Sequence, residues 1–193
     1  MELKNTIQAM QKLGNKVVRD GRGILKRFKP HSKISSGALY NDFDYDVRGN
    51  TKKESVTLTF KFGRASDYWD FVDEGVQATS QARPKNKDGK PYPRKKGKRA
   101  AKSPFRFRDK MPPRGAIDRW VVKRGLKAAR KDGKFINRKS LVFLIQRSIF
   151  YNGLQRTQFF TRPFTKELNK QTDDIVKAFG DDLDKQLELI IND

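Results

Sequence analysis

Residues 78–113 cannot supply a hydrophobic core. They hold Pro84, Pro91, Pro93, Pro104, Pro112 and Pro113 and show no apolar periodicity of helix or strand type. Proline lacks a backbone donor and fixes φ, so a stretch interrupted this often neither continues a helix nor sits in a central strand. Two basic runs, Lys85-Asn86-Lys87 and Arg94-Lys95-Lys96-Gly97-Lys98-Arg99, lie between the prolines. Structureless stretches of this length are uncommon inside a compact domain, and basic arms gain order on a partner. The expectation is an arm that leaves its own core and is buried against other chains.

The core must then come from the remainder. The chain has 193 residues, of which 35% are hydrophobic and 34% charged. Its length supports one domain, or one domain with an appendage. With no Cys, it has no disulfide framework, thiolate metal site or Cys nucleophile, and its single His allows no pair of imidazole ligands. No apolar run approaches the ~18 residues of a spanning helix, and the N-terminus has no apolar signal region. These features predict a soluble chain made in a cytoplasm.

The formal charge is +22, unevenly distributed. Residues 81–110 carry thirteen basic and two acidic side chains, and residues 111–163 the same numbers. Residues 164–193 carry four and eight. A cationic middle and an anionic end suit a polyanionic neighbour or head-to-tail pairing between copies.

Leu3, Ile7, Met10, Gly14, Val17, Gly21, Ile24 and Phe28 recur at helical spacing and predict an amphipathic helix. Gly14 and Gly21 sit on its seam, where a missing side chain permits close approach. Helix propensity would also allow an end near Gly21, and Pro30 sets the latest limit. Phe43, Tyr45 and Val47 alternate with charged residues, Gly49-Asn50 suggests a turn, and Ser55 to Phe62 reads as a strand. Together they predict a hairpin. The acid-rich stretch Asp67 to Gly75 reads as a short core segment with capping carboxylates. A nuclease metal site built on Asp67, Asp70, Asp73 and Glu74 is a remote alternative, because the run lacks an alternating oxygen-ligand loop. Three helical stretches follow: Pro113 to Gly125, Ser140 to Tyr151 closed by Asn152-Gly153, and a last helix from Pro163. Phe60, Trp69, Trp120, Leu144, Phe164, Ile175 and Phe179 are the expected large core residues.

No catalytic constellation is present in the sequence. His31 sits in a loop beside Pro30, and neither a phosphate loop nor a dinucleotide-binding glycine pattern occurs. The chain therefore reads as a non-enzyme with no cofactor and no metal. The candidate contact residues are Arg83, Lys85, Lys87, Arg94, Lys95, Lys96, Lys98, Arg99, Lys102, Arg106 and Arg108, with Lys90 among them in sequence. They could neutralise phosphates, and Phe105 and Phe107 between the arginines could stack on bases. Docking of the same arm on acidic protein surfaces fits equally well.

The order of segments carries a family resemblance. A Ser36-Gly37-Ala38-Leu39 entry precedes the hairpin, Tyr68-Trp69-Asp70-Phe71-Val72-Asp73-Glu74-Gly75 follows it, and Phe160-Thr161-Arg162-Pro163-Phe164 opens the last helix. This resembles the tail-completion, or head–tail joining, proteins of tailed bacteriophages. Pro113 to Leu126 and Leu141 to Gly153 resemble a helical insertion of phage neck proteins. Asp73-Glu74-Gly75 departs from the family's Glu-x-Gly, and the basic arm is longer than is usual there. The resemblance implies a virion structural protein at the portal–tail junction, ringing the DNA channel in twelve-fold or six-fold copies. Its implied partners are copies of itself, the portal, other neck or tail proteins and genomic DNA without sequence preference, with no membrane. It implies a place in the virion, and the host cytoplasm during assembly. The alternative is a small basic nucleic-acid-binding protein of ribosomal or genome-packaging type, which accounts for the charge but not for the acidic last helix.

The expected fold is α+β. A small antiparallel sheet is packed by the N- and C-terminal helices, with a helical hairpin insertion and a long extended basic arm. The expected division is 1–77 as helix and hairpin of the core, 78–113 as the arm, and 114–193 as the helical part of the same core.

Overall fold

The computed structural model describes residues 3–28, 37–50, 55–83, 85, 88–91, 102–129, 133 and 135–192. They form six α-helices, a 3₁₀ turn and a two-stranded antiparallel sheet, a mixed α+β architecture. Contacts divide the chain into two units: Met1–Trp69 with Gln158–Asp193, and Asp70–Thr157.

The first unit begins with helix α1, Lys4–Arg27, which runs through Gly21 and stops short of Pro30. Its buried stripe is Thr6, Leu13, Gly14, Val17, Val18, Gly21 and Leu25. Gly14 and Gly21 hold the close approaches their seam position predicts. A Cβ at Gly14 would lie 2.4 Å from the Tyr45 ring, and one at Gly21 would lie 2.7 Å from both the Phe159 carbonyl oxygen and the Phe43 ring. A short helix, α2 (Ala38–Asp42), leads into strand β1, Asp44–Asn50, which pairs with β2, Ser55–Lys61. Tyr45 lies opposite Phe60 and Val47 opposite Leu58. Gly49 and Asn50 are paired strand residues here rather than the turn. The connection at 51–54 lies outside the described residues, as does His31.

The last helix, Thr161–Asn192, is the sixth in chain order (α6) and packs antiparallel on α1. Leu3, the residue before α1, offers no side-chain cap, so the orphan N–H groups of the first turn need another acceptor. Asp182 of α6 supplies it. Its carboxylate accepts from the N–H of Asn5 (3.1 Å) and from the N–H and hydroxyl of Thr6 (2.8 Å each). Further along the pair, buried Glu167 meets Lys16 at 3.7 Å and accepts from Gln171 at 3.2 Å.

An aromatic cluster closes this unit. Phe43 and Phe159 are fully buried. Phe43 stacks on Phe62 at 5.2 Å, and Phe62 stacks on Trp69 at 4.1 Å. Phe159 meets Phe43 edge-on at 5.4 Å, and Phe160 meets Phe60 in the same manner at 5.1 Å. Edge-to-face and offset pairs add about 0.5–1.5 kcal/mol each beyond area burial.

The second unit contains α3, Trp69–Glu74, at whose start the division falls, then α4, Arg114–Lys123, and α5, Arg138–Asn152. Pro113 stands at the N-cap of α4, Asn137 caps α5 by accepting from Ser140 N–H at 2.8 Å, and Gly153 closes α5. Ile117, Val121 and Val142 form its helical core, with Leu141, Ile145 and Ile149 packed against them. Gly153 has φ +76°, and a Cβ there would lie 2.4 Å from the Val76 carbonyl oxygen, so only glycine fits.

Backbone bonds tie the base of the predicted arm into this unit. Val76 exchanges two hydrogen bonds with Leu154 (3.1 and 2.8 Å), and Gln77 N–H donates to the Phe105 carbonyl at 2.7 Å. Phe107 N–H donates to the Gln77 carbonyl, and the buried Ser103 hydroxyl donates to that of Gly75 at 2.8 Å. Residues 78–83 and 103–108 thus lie on the unit's own framework instead of extending from it. The two compact units meet along the chain at 69/70 and 157/158, and short ladders join 76–79 to both 103–108 and 150–154.

The core differs from the expected list. None of the seven expected residues is buried, and Trp120, Leu144 and Phe179 are exposed. The enclosed apolar positions are smaller aliphatics with Phe43 and Phe159 in the first unit and Phe150 in the second. Leu144 lies about 200° around α5 from Val142 at 100° per residue, so it cannot share that residue's face.

Candidate interaction surfaces

The candidate cations fall into three groups. Lys87, Arg94, Lys95, Lys96, Lys98 and Arg99 lie outside the described residues. Arg83 is occupied in the fold. Its guanidinium donates to the Tyr151 carbonyl and to Asn152 Oδ1 (3.0 Å), and so serves the C-terminal end of α5, where cations are favoured. Lys85, Lys90, Lys102, Arg106 and Arg108 are exposed. Arg106 donates to Gln77 Oε1 at 2.6 Å, and the Arg108 carbonyl accepts from the Thr79 hydroxyl at 2.9 Å.

Base stacking by the intervening aromatics is not supported by their placement. Phe105 packs on Phe71 at 4.5 Å and Phe107 on Phe150 at 6.1 Å, both half-buried. The alternation Phe-Arg-Phe-Arg turns the rings inward and the guanidinium groups outward, as in an extended strand.

A basic surface that the sequence reading passed over lies on α4 and α5. Arg114, Arg138 and Lys139 line an open cleft with Asp118, whose carboxylate holds Arg138 at 3.1 Å. The signal was the placement of Arg138-Lys139 directly after the Asn137 cap, which puts two cations in the first turn of a helix. Cations are disfavoured there, and the pair with Asp118 offsets one of them.

Acidic groups are held as structural partners. Hydrogen bonds from the Arg64 side chain and backbone, at 2.8–3.1 Å, hold the Asp42 carboxyl below its usual range. Hydrogen bonds from Lys61 (3.0 Å) and Arg48 (2.8 Å) do the same for Asp46. Burial pushes the Asp182 carboxyl up, but the bonds from Thr6 and Asn5 outweigh it and leave that group below its ordinary value. Burial, then the charge of Asp44, raises the Tyr45 hydroxyl. In the acid-rich run, Asp70 accepts from the N–H of Phe71 at 2.8 Å and Asp73 is buried. Among the described residues no three His, Cys, Asp or Glu side chains are grouped to hold a metal ion. No helix among them is long and apolar enough to cross a membrane.

The apolar surface has its own pattern. Val176, Phe179, Leu183 and Leu187 of α6 are exposed, Val176 at 64% and Leu187 at 56%. On the same helix Glu167, Gln171 and Asp182 are buried. Three polar side chains of α6 are thus enclosed while a stripe of four large apolar ones is left at the surface, against the usual pattern of a surface helix. The described part of the second unit exposes Phe143 and Leu144 on α5 and Trp120 on α4.

Compared with known protein families, curated proteins and solved structures, the chain matches none.

Proposed function

We propose that this chain is a virion structural subunit of a tailed bacteriophage, one of a ring that joins the portal to the tail and surrounds the DNA channel. The observation that carries the reading is the order of short motifs along the chain, from the Gly37-Ala38-Leu39 entry through Tyr68 to Gly75 and on to Phe160 to Phe164. Its surfaces are consistent with that role. A ring of like subunits needs two different, complementary faces on each copy, and this chain has a cationic middle and an acidic last helix. The exposed Lys85, Lys90, Lys102, Arg106 and Arg108, with Arg114, Arg138 and Lys139 on α4 and α5, suit neighbouring acidic surfaces, or DNA phosphates approached without sequence preference. In this role the protein performs no chemistry. It acts in the virion, after assembly in the host cytoplasm, beside the portal and other neck or tail proteins.

The cleft lined by Arg114, Arg138 and Lys139 favours a second reading, a small basic nucleic-acid-binding protein of ribosomal or packaging type. Mass spectrometry and antibody-labelled electron microscopy of purified phage particles decide between them. Labelling at the single tail-bearing vertex is expected. Absence of the chain from purified particles overturns the phage role.

A further inference from the structure

We propose that the outward apolar stripe of α6 is covered by the basic α5 face of a second copy of this chain, in a head-to-tail contact. The inference names the subunit contact of the ring and rests on that reading for its biological role. Its physical basis is separate. Helix α6 turns Val176, Phe179, Leu183 and Leu187 to solvent while burying charged and amide side chains against α1. A contiguous apolar face of this kind marks an interaction site. The stripe spans eleven residue steps, about 17 Å at 1.5 Å per residue.

Charge selects the occupant. Residues 173–188 carry six carboxylates against Lys177 and Lys185. Asp173 and Asp184 lie within about a quarter turn of the stripe at 100° per residue. A nucleic acid is repelled by such a surface, and so is a second α6, because like charges facing each other oppose association. The matching surface must be apolar at its centre and basic at its rim. Helix α5 has that composition: exposed Phe143 and Leu144 share a face with Lys139 and Arg147. At fifteen residues it is about 22 Å long, enough to cover the stripe. The two patches differ, so each copy offers both halves of the contact. Such an arrangement closes into a ring or continues as a filament.

The test uses the purified full chain in sedimentation velocity, at rising protein concentration and at low and high salt. The native chain should associate beyond a dimer, and added salt should weaken the association. Two variants divide the contact: Val176→Gln with Leu187→Gln, and Phe143→Gln with Leu144→Gln. Each alone should associate at least about 30-fold more weakly, the loss of one central anchor. Mixed together, they should form a one-to-one pair and nothing larger, because each retains the half the other lacks. Thermal melts check folding; Leu187→Ala alone replaces the α6 variant, and Leu144→Ala alone the α5 variant, if either fails to fold. No pair on mixing, an α5 variant that still dimerises, or a native chain that stays monomeric at every concentration would each overturn the proposal. The phage role fails separately: a chain that associates in this pattern but is absent from particles keeps the contact and loses the role.

Discussion

Asp182 shows how far a single residue of α6 reaches into the rest of the first unit. Three donors at the start of α1 converge on its carboxylate, and their replacement by water is hindered because the site is buried. Asp182→Ala should cost about 1–3 kcal/mol by leaving buried donors unsatisfied. Its folded pKa lies below the unfolded value, so the contribution is present above the unfolded pKa near ~4 and is lost as pH falls through the folded pKa. Urea titrations at neutral pH and below about pH 4 should therefore show a gap between native and Asp182→Asn chains that narrows in acid. A gap independent of pH would remove the carboxylate from the explanation. Glycines provide a test of opposite sign. In an open helix Gly→Ala gains up to about 1 kcal/mol, and Gly180, with nothing near its missing Cβ, should follow that rule. Gly14→Ala and Gly21→Ala should instead destabilise by about 1–3 kcal/mol through overpacking, with Gly21 the worse because it meets backbone. Thermal melts of the three variants check the reversal.

Helices and strands were legible in the sequence to different depths. The α1 seam, the β1–β2 alternation and the Asn152-Gly153 stop follow from periodicity and local backbone preference, which act over a few residues. The core was less legible, because periodicity finds an apolar face without saying what covers it. Phe179 lies on such a face of α6 yet is exposed, while Asp182 and Gln171 are enclosed by α1. Phe159 reads as a loop residue before a helix, and it is buried by Phe43 and Gly21, residues distant in sequence. The basic stretch was legible as unable to form a core, but its ends were not legible as structured. Ser103, Phe105 and Phe107 find partners at Gly75, Gln77 and Phe150, which no local rule reveals. The limits of a useful deletion follow. Replacing residues 92–101 by a Gly-Ser linker of equal length should leave a cooperative melt and block incorporation into particles. Ser103→Ala should lower stability by about 1 kcal/mol. If the linker chain enters particles normally, the basic residues it lacks are not an assembly element.

At the scale of the whole molecule, charge separates the two functional readings. The formal charge of +22 guarantees some attraction to DNA, so binding alone decides nothing. What differs is its strength in a single copy. A ring subunit gains its hold on the channel from many copies together, each making a few phosphate contacts, and its acidic α6 opposes closer approach. A packaging or ribosomal protein must engage many phosphates with one chain. The number of phosphates neutralised sets the salt slope, about −0.9 per contact on duplex DNA. Fluorescence anisotropy on a short random duplex, titrated over salt with the isolated chain, should therefore give micromolar or weaker affinity near physiological salt, the range of non-specific contact, with a shallow slope. Charge reversal at Lys139, which is exposed, should reduce that binding further while a cooperative melt is kept. Nanomolar binding by the monomer, with a steep slope carried by 85–108 and by α4 and α5, would transfer the whole basic surface to nucleic acid and make the second reading the correct one.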